Sequence, residues 1–159
     1  MWHSYAVASA LALTSIVAVN STALAQSTEI QFNGTVPVQA TFSNVVPGTV
    51  ETIATGGSAG SLNAFESVTP ATLTVQSSVP ATITVSPPNL VSGNTPDPPG
   101  TTRIGFLTLG SIIVRSDMSG GTANLPAGNT ALEVDMFVER PEPFPPGTYT
   151  YAVTVTITP

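Results

Sequence analysis

Gly147-Thr148-Tyr149-Thr150-Tyr151-Ala152-Val153-Thr154-Val155-Thr156-Ile157 alternates without a slip. Tyr149, Tyr151, Val153, Val155 and Ile157 are aromatic or aliphatic, and the positions between them are Thr or Ala. Successive side chains of a strand point to opposite faces, so this run predicts a β-strand with one buried face. A matching stripe lies near the other end of the chain. From Ile30 the even positions read Ile30, Phe32, Gly34, Val36, Val38, Ala40 and Phe42. They predict an extended segment over residues 26–43, with Asn33-Gly34 as a bulge or break inside it. Pro37 removes a ladder donor, so this segment is expected at a sheet edge or at a switch between sheets.

Between the two stripes the signals are again those of strands. Pro47-Gly48 marks a turn, and residues 49–54 read as a short strand with Val50 and Ile53 as burial candidates. Gly56-Gly57-Ser58-Ala59-Gly60-Ser61 reads as a loop. Residues 62–68 fit either a single helical turn or an irregular crossover. Pro70-Ala71-Thr72-Leu73-Thr74-Val75 is then echoed as Pro80-Ala81-Thr82-Ile83-Thr84-Val85, which suggests two neighbouring strands. Residues 92–102 carry Gly93, Pro96, Asp97, Pro98, Pro99 and Gly100 and read as a loop, with Asp97 a turn residue. Residues 103–115 are the most hydrophobic stretch and suit a central strand buried on both faces, split or bent at Gly110. Residues 116–128 are turn-rich. Residues 130–139 put Leu132, Val134, Met136 and Val138 on one face and Glu133, Asp135, Phe137 and Glu139 on the other. Pro141, Pro143, Pro145 and Pro146 predict a stiff, extended linker into the last strand. The expected fold is all-β, an immunoglobulin-like Greek-key sandwich of about seven or eight strands.

Residues 1–25 resemble a secretory leader. Tyr5 to Val19 is apolar or small, and Ala23-Leu24-Ala25 offers a cleavage site before Gln26, although only His3 and the amino terminus supply positive charge ahead of it. As a membrane anchor this stretch is too short and too rich in Ser and Thr. Residues 26–159 are then expected to form a single β-sandwich domain with an N-terminal arm over 26–37, exported to the periplasm, the cell surface or the medium. A chain of that length buries roughly two thirds of its unfolded surface, enough for a core without disulfides, and it has no cysteine. No later stretch is long and apolar enough to predict a membrane span.

Composition excludes much chemistry. Beyond the leader there is no His, Cys, Lys or Trp. Ser-His-Asp and Cys-His catalysis, Schiff bases and His or Cys zinc sites are therefore ruled out. The net charge is −6 with three arginines, so no basic patch exists for nucleic acid. Glu133, Asp135 and Glu139 would be the carboxylates for a hydrolase or a Ca²⁺ site, but no aromatic platform or helper residue accompanies them, which favours a solvated face. Tyr149 and Tyr151 suit either sugar stacking or core packing, and the apolar face of a terminal strand favours core. Asn33-Gly34-Thr35 matches the glycosylation sequon as a chance match within a turn. No catalytic, cofactor or metal residue is expected.

Three segments resemble the exported spore coat U and archaic chaperone–usher group of pilin-like bacterial proteins. They are the closing residues 147–157, Val38-Gln39-Ala40-Thr41-Phe42 and Ala81-Thr82-Ile83-Thr84-Val85. Neither cysteine of that group's usual disulfide is present. The resemblance implies a sandwich lacking one strand, whose groove is filled first by a periplasmic chaperone and then by the arm of the next subunit. Carried onto this chain, the arm lies within residues 28–38 and offers Ile30, Phe32, Val36 and Val38. The groove is bordered by the terminal strand with Tyr149, Tyr151, Val153, Val155 and Ile157. The implied function is a non-enzymatic structural subunit of a surface fibre, coat or matrix, self-associating by strand addition. The alternative is a monomeric extracellular binding or adhesion module for glycan or protein ligands, using the loops at 56–61, 92–102 and 116–128.

Overall fold

The computed structural model describes residues 31–35, 37–55, 62–118 and 121–159. The chain divides into two compact units, residues 1–35 and 36–159. Of the first, residues 31–35 are described, and they are exposed and outside any strand. Ile30 and Val36, the leader, and the loop at 56–61 lie outside the described residues.

Residues 36–159 form an all-β sandwich of twelve strands, with no α-helix among the described residues. The strands are β1 (Ala40–Val46), β2 (Thr49–Ala54), β3 (Leu62–Thr69), β4 (Ala71–Ser77), β5 (Ala81–Val85), β6 (Asn89–Ser92), β7 (Thr102–Leu109), β8 (Ile112–Arg115), β9 (Thr122–Leu125), β10 (Gly128–Glu139), β11 (Thr150–Ala152) and β12 (Val155–Thr158). Several are halves of one interrupted run. β3 and β4 lie end to end along the same side of β10, and β1 and β2 pair antiparallel with β4 and β3 in turn. β5 and β6 likewise run beside β12 and β11. Grouped this way, the twelve strands make eight extended runs, in line with the spacing of the turn signals.

The first layer is built on β10, which pairs β4 and β3 on one side and β7 on the other, with β8 outside β7. The second layer comprises β12-β5-β9 and β11-β6. The period-2 stripes meet between them. Leu73 and Val75 of β4, Leu107 and Leu109 of β7, and Leu132 and Val134 of β10 pack against Ala81, Ile83, Val85, Ala123 and Leu125, with Val153, Val155 and Ile157 at the border. Full burial of each large side chain contributes about 1.5–3 kcal/mol, which makes this stripe the main source of stability.

Two of the interrupted runs, β3–β4 and β5–β6, break at proline, and at each a serine hydroxyl bonds across to the neighbouring run. At Pro70 the ladder between β3–β4 and β10 shifts register, and the Met136 N–H donates to Ser67 Oγ at 2.9 Å. At Pro87-Pro88 the Thr154 N–H donates to Ser86 Oγ at 2.9 Å, while the Ser86 N–H donates to the Thr154 carbonyl. Opposite Pro70 sits Gly48. A Cβ there would lie 2.6 Å from both the Ala71 nitrogen and the Thr69 oxygen, so only glycine permits this close crossing.

Several expectations are corrected. Of the extended segment expected over 26–43, residues 26–30 and 36 lie outside the described residues, residues 31–35 and 37–39 are in no strand, and the first described strand begins at Ala40; β1 is an edge strand, as Pro37 suggested. Residues 62–68 are neither a helical turn nor a crossover but strand β3. The echoed segments are not neighbours in one sheet. β4 already has β1 and β10 on its two edges, so β5 crosses to the opposite layer and faces it. Residues 103–115 are split at Gly110, as expected, but fold into the hairpin β7–β8 and not into one central strand buried on both faces. Gly110 turns at φ 61°, and β8 becomes an edge with Ile112 and Ile113 exposed. Short strand β9 occupies the segment read as turn-rich, and short strand β6, ahead of the loop read over 92–102, is not anticipated. Val50 of β2 is exposed, not buried.

Candidate functional site

One flank of the sandwich is open. Among the described residues, β1 and β2 pair only inward, with β4 and β3, and β11 and β12 pair only inward, with β6 and β5. The first and last runs of the described chain thus present unpaired edges on the same flank, one from each layer. Between them lies a cleft of about 340 Å³. Its walls are Val45, Gly48 and Val50 on one side and Tyr149, Thr150, Tyr151, Val153 and Val155 on the other; Ala71, Leu73, Val134 and Met136 form its floor, and Ser67 and Asp135 also border it, so the lining is mainly but not wholly apolar. Asn44, at φ 52°, sits where the register of β1 shifts, and beyond it Val45 lines the cleft. Asparagine tolerates this left-handed conformation better than other non-glycine residues.

The cleft brings together four of the five groove residues expected from sequence: Tyr149, Tyr151, Val153 and Val155. Ile157 packs against the core beyond the cleft. Of the arm residues, Phe32 is 93% exposed and Val38 61% exposed; Ile30 and Val36 lie outside the described residues. Gln39 is the last residue before β1 and is tied to Ser78 by three hydrogen bonds. Its N–H donates to Ser78 Oγ at 2.9 Å, and its carbonyl accepts from the Ser78 N–H at 2.9 Å and from Ser78 Oγ at 3.2 Å. Gln39 and the exposed Val38 thus lie at the end where β4 turns towards β5.

One end of the cleft is closed by a network that sequence reasoning missed. Asp97 is not merely a turn residue. Its Oδ2 accepts from Arg103 Nε at 2.9 Å, and its Oδ1 accepts from Arg140 Nε at 2.9 Å and from the Tyr151 hydroxyl at 2.7 Å. The Asp97 and Arg140 side chains are 2% and 3% exposed. Arg140 also donates to Thr95 Oγ1 and to the Thr95 carbonyl, so its burial is matched by partners. Its guanidinium lies 4.2 Å from the Phe144 ring centroid and 5.1 Å from that of Tyr149. Phe65 completes the cluster, 4.4 Å from Phe144 centroid to centroid. Burial works to raise the Asp97 carboxyl, but the hydrogen bonds from Tyr151, Arg103 and Arg140 outweigh it and hold it below the ordinary value. Burial, and then the hydrogen bond to the Asp97 carboxylate, push the Tyr151 hydroxyl up to about 12.

A signal for this network was present in the sequence. Arg140 continues the inward parity of Leu132, Val134, Met136 and Val138, and Arg103 that of Leu107 and Leu109. An arginine in phase with an apolar stripe requires a buried partner.

The carboxylates of β10 do not converge on a site. Glu133 is exposed, Asp135 and Glu139 are half-buried, and Glu139 accepts a short hydrogen bond from the Thr55 hydroxyl. No group of three His, Cys, Asp or Glu suited to a metal ion occurs among the described residues. No helix among them is long and apolar enough to cross a membrane. No protein-family model, no curated protein and no solved structure matches the chain.

Proposed function

We propose that this chain is a non-enzymatic, exported structural subunit of a surface fibre, coat or matrix, assembling by β-strand addition. In this reading it is an immunoglobulin-like sandwich short of one strand. The arm of one copy, residues 26–37, enters the cleft of the next, and a periplasmic chaperone strand holds the cleft beforehand. The observation that carries the proposal is the mainly apolar cleft between two unpaired strand edges. An incoming strand would pair with the outer edge of β12 and place alternate side chains against Leu73, Met136, Val153 and Val155. Ile30, Phe32, Val36 and Val38 have the required period of two. Full burial of four such anchors contributes at most about 6–12 kcal/mol before ordering costs, enough to hold a fibre together. Saturation of Asp97 by two arginines and a tyrosine leaves it no role in hydrolysis.

The test is to express the full chain in an exporting host and measure the molar mass of the processed protein by light scattering after size exclusion. Denaturant-resistant ladders, or a monomer that captures a peptide of residues 28–38, are the expected outcome. Deleting residues 26–37 should abolish polymers and leave export intact. Polymers that persist without the arm, or a stable monomer indifferent to the peptide, overturn the proposal and turn the search to ligands of the loops at 92–102 and 116–128.

A further inference from the structure

Asn33-Gly34 is the only Asn-Gly pair in the chain. The other asparagines beyond residue 25 precede Val45, Ala64, Leu90, Thr95, Leu125 and Thr130. Five of them, Asn44, Asn63, Asn89, Asn124 and Asn129, lie in strands, and Asn94 donates to the Pro146 carbonyl at 2.7 Å. Most of these asparagines are exposed, as Asn33 is, but Asn33 alone is followed by glycine; it lies outside any strand, and a Cβ on Gly34 would meet nothing within 4 Å. A side-chain amide carbon is attacked by the next backbone nitrogen only where the chain is free to fold back and no side chain crowds that nitrogen. Strand geometry and β-branched neighbours both prevent this, whereas glycine offers the widest conformational freedom.

We infer that Asn33 is a self-modification site that converts to an acidic residue in the unassembled chain, with water as the only co-reactant. The Gly34 nitrogen bonds to Asn33 Cγ, the bond from Cγ to the side-chain nitrogen breaks, and ammonia leaves, giving a cyclic imide. Water then opens the ring. Attack at the former side-chain carbonyl gives aspartate. Attack at the main-chain carbonyl gives isoaspartate, in which the backbone runs through the side-chain carbon.

The consequence for assembly rests on the strand-addition reading. Either product places a negative charge between Phe32 and Val36. Isoaspartate also adds one methylene to the main chain, which breaks the period of two, so residues on its two sides no longer share a face. An arm already seated as a strand is extended and cannot cyclise. Assembly therefore protects Asn33, and a subunit left unassembled loses its competence with age.

The experiment follows the processed chain, free and in polymers, by intact mass, peptide mapping and labelling with an isoaspartyl methyltransferase. The free chain should gain one amide-to-acid mass shift at Asn33 alone. Gly34→Ala should slow the gain several-fold, and Asn33→Gln should remove it over the same period. Aged free chain should lose capture into polymers, while Asn33→Gln keeps it. An unchanged Asn33, or an equal gain at Asn94 or at the strand asparagines, overturns the inference. Conversion at one rate in free chain and polymer upholds the modification site and sinks the strand-addition reading, so the two failures are distinct.

Discussion

The last run of the chain carries one sequence pattern and meets two environments. At its Tyr149–Tyr151 end every polar tip is engaged. Tyr149 donates to the Pro145 carbonyl and Tyr151 to Asp97, and the rings stack beside Arg140, Phe65 and Phe144. Beyond it, Val153 and Val155 line the same cleft as the two tyrosines but have no polar anchor, Ile157 packs against the core, and among the described residues the outer edge of β12 has no ladder partner. Identical periodicity thus carries a polar anchor at one end and none at the other. In the strand-addition reading proposed above, the clamp on one half of this edge strand would hold the other half in position for an incoming strand.

The comparison breaks most completely at the clamp. Asp97→Ala leaves Arg140 buried without its counter-charge and should cost about 3–5 kcal/mol, read by urea unfolding. The same clamp sets the pH limits of stability. The lowered Asp97 value means its contribution is present above the ordinary carboxylate value of 3.8 and fades as pH falls through the lower folded value. The raised Tyr151 value means its contribution is present below 10.0 and fades as pH rises towards about 12. Thermal unfolding across pH should therefore show an acid loss that Asp97→Ala removes. An intermediate effect is expected at the ladder breaks. Ser67→Ala strands the Met136 N–H and should cost about 1–3 kcal/mol. Ser86→Ala, at the more exposed break, should cost less in the same assay. The smallest change in stability is expected in the cleft. Val153→Thr should cost under about 1 kcal/mol yet weaken capture of the 28–38 peptide. Equal losses at both ends of the strand would erase the distinction between clamp and cleft.

Much of the sandwich was legible because a strand's face is a local property. The alternation in residues 71–75, 81–85, 132–138 and 149–157 states which side chains turn inward, and the core uses them. The same alternation sets Tyr149, Tyr151, Val153 and Val155 on the strand face that lines the cleft. What escaped depends on distant partners. β6 and β9 are short, and their strand character comes from pairing with β11 and β5, not from propensity. Asp97, between Pro96 and Pro98, has the composition of a turn, and its partners Arg140 and Tyr151 are 43 and 54 residues away.

The amino-acid order alone thus specifies an all-β chain, the inward face of most of its strands, and the classes of catalysis it lacks the side chains to perform. Which strands become neighbours, which edges stay unpaired and which charges are buried follow from the packing of the two layers. Alternation records a strand's faces but not its edges. Edges are hydrogen-bonded through backbone groups that every residue shares, so only the assembled sheets decide where a strand ends up without a neighbour.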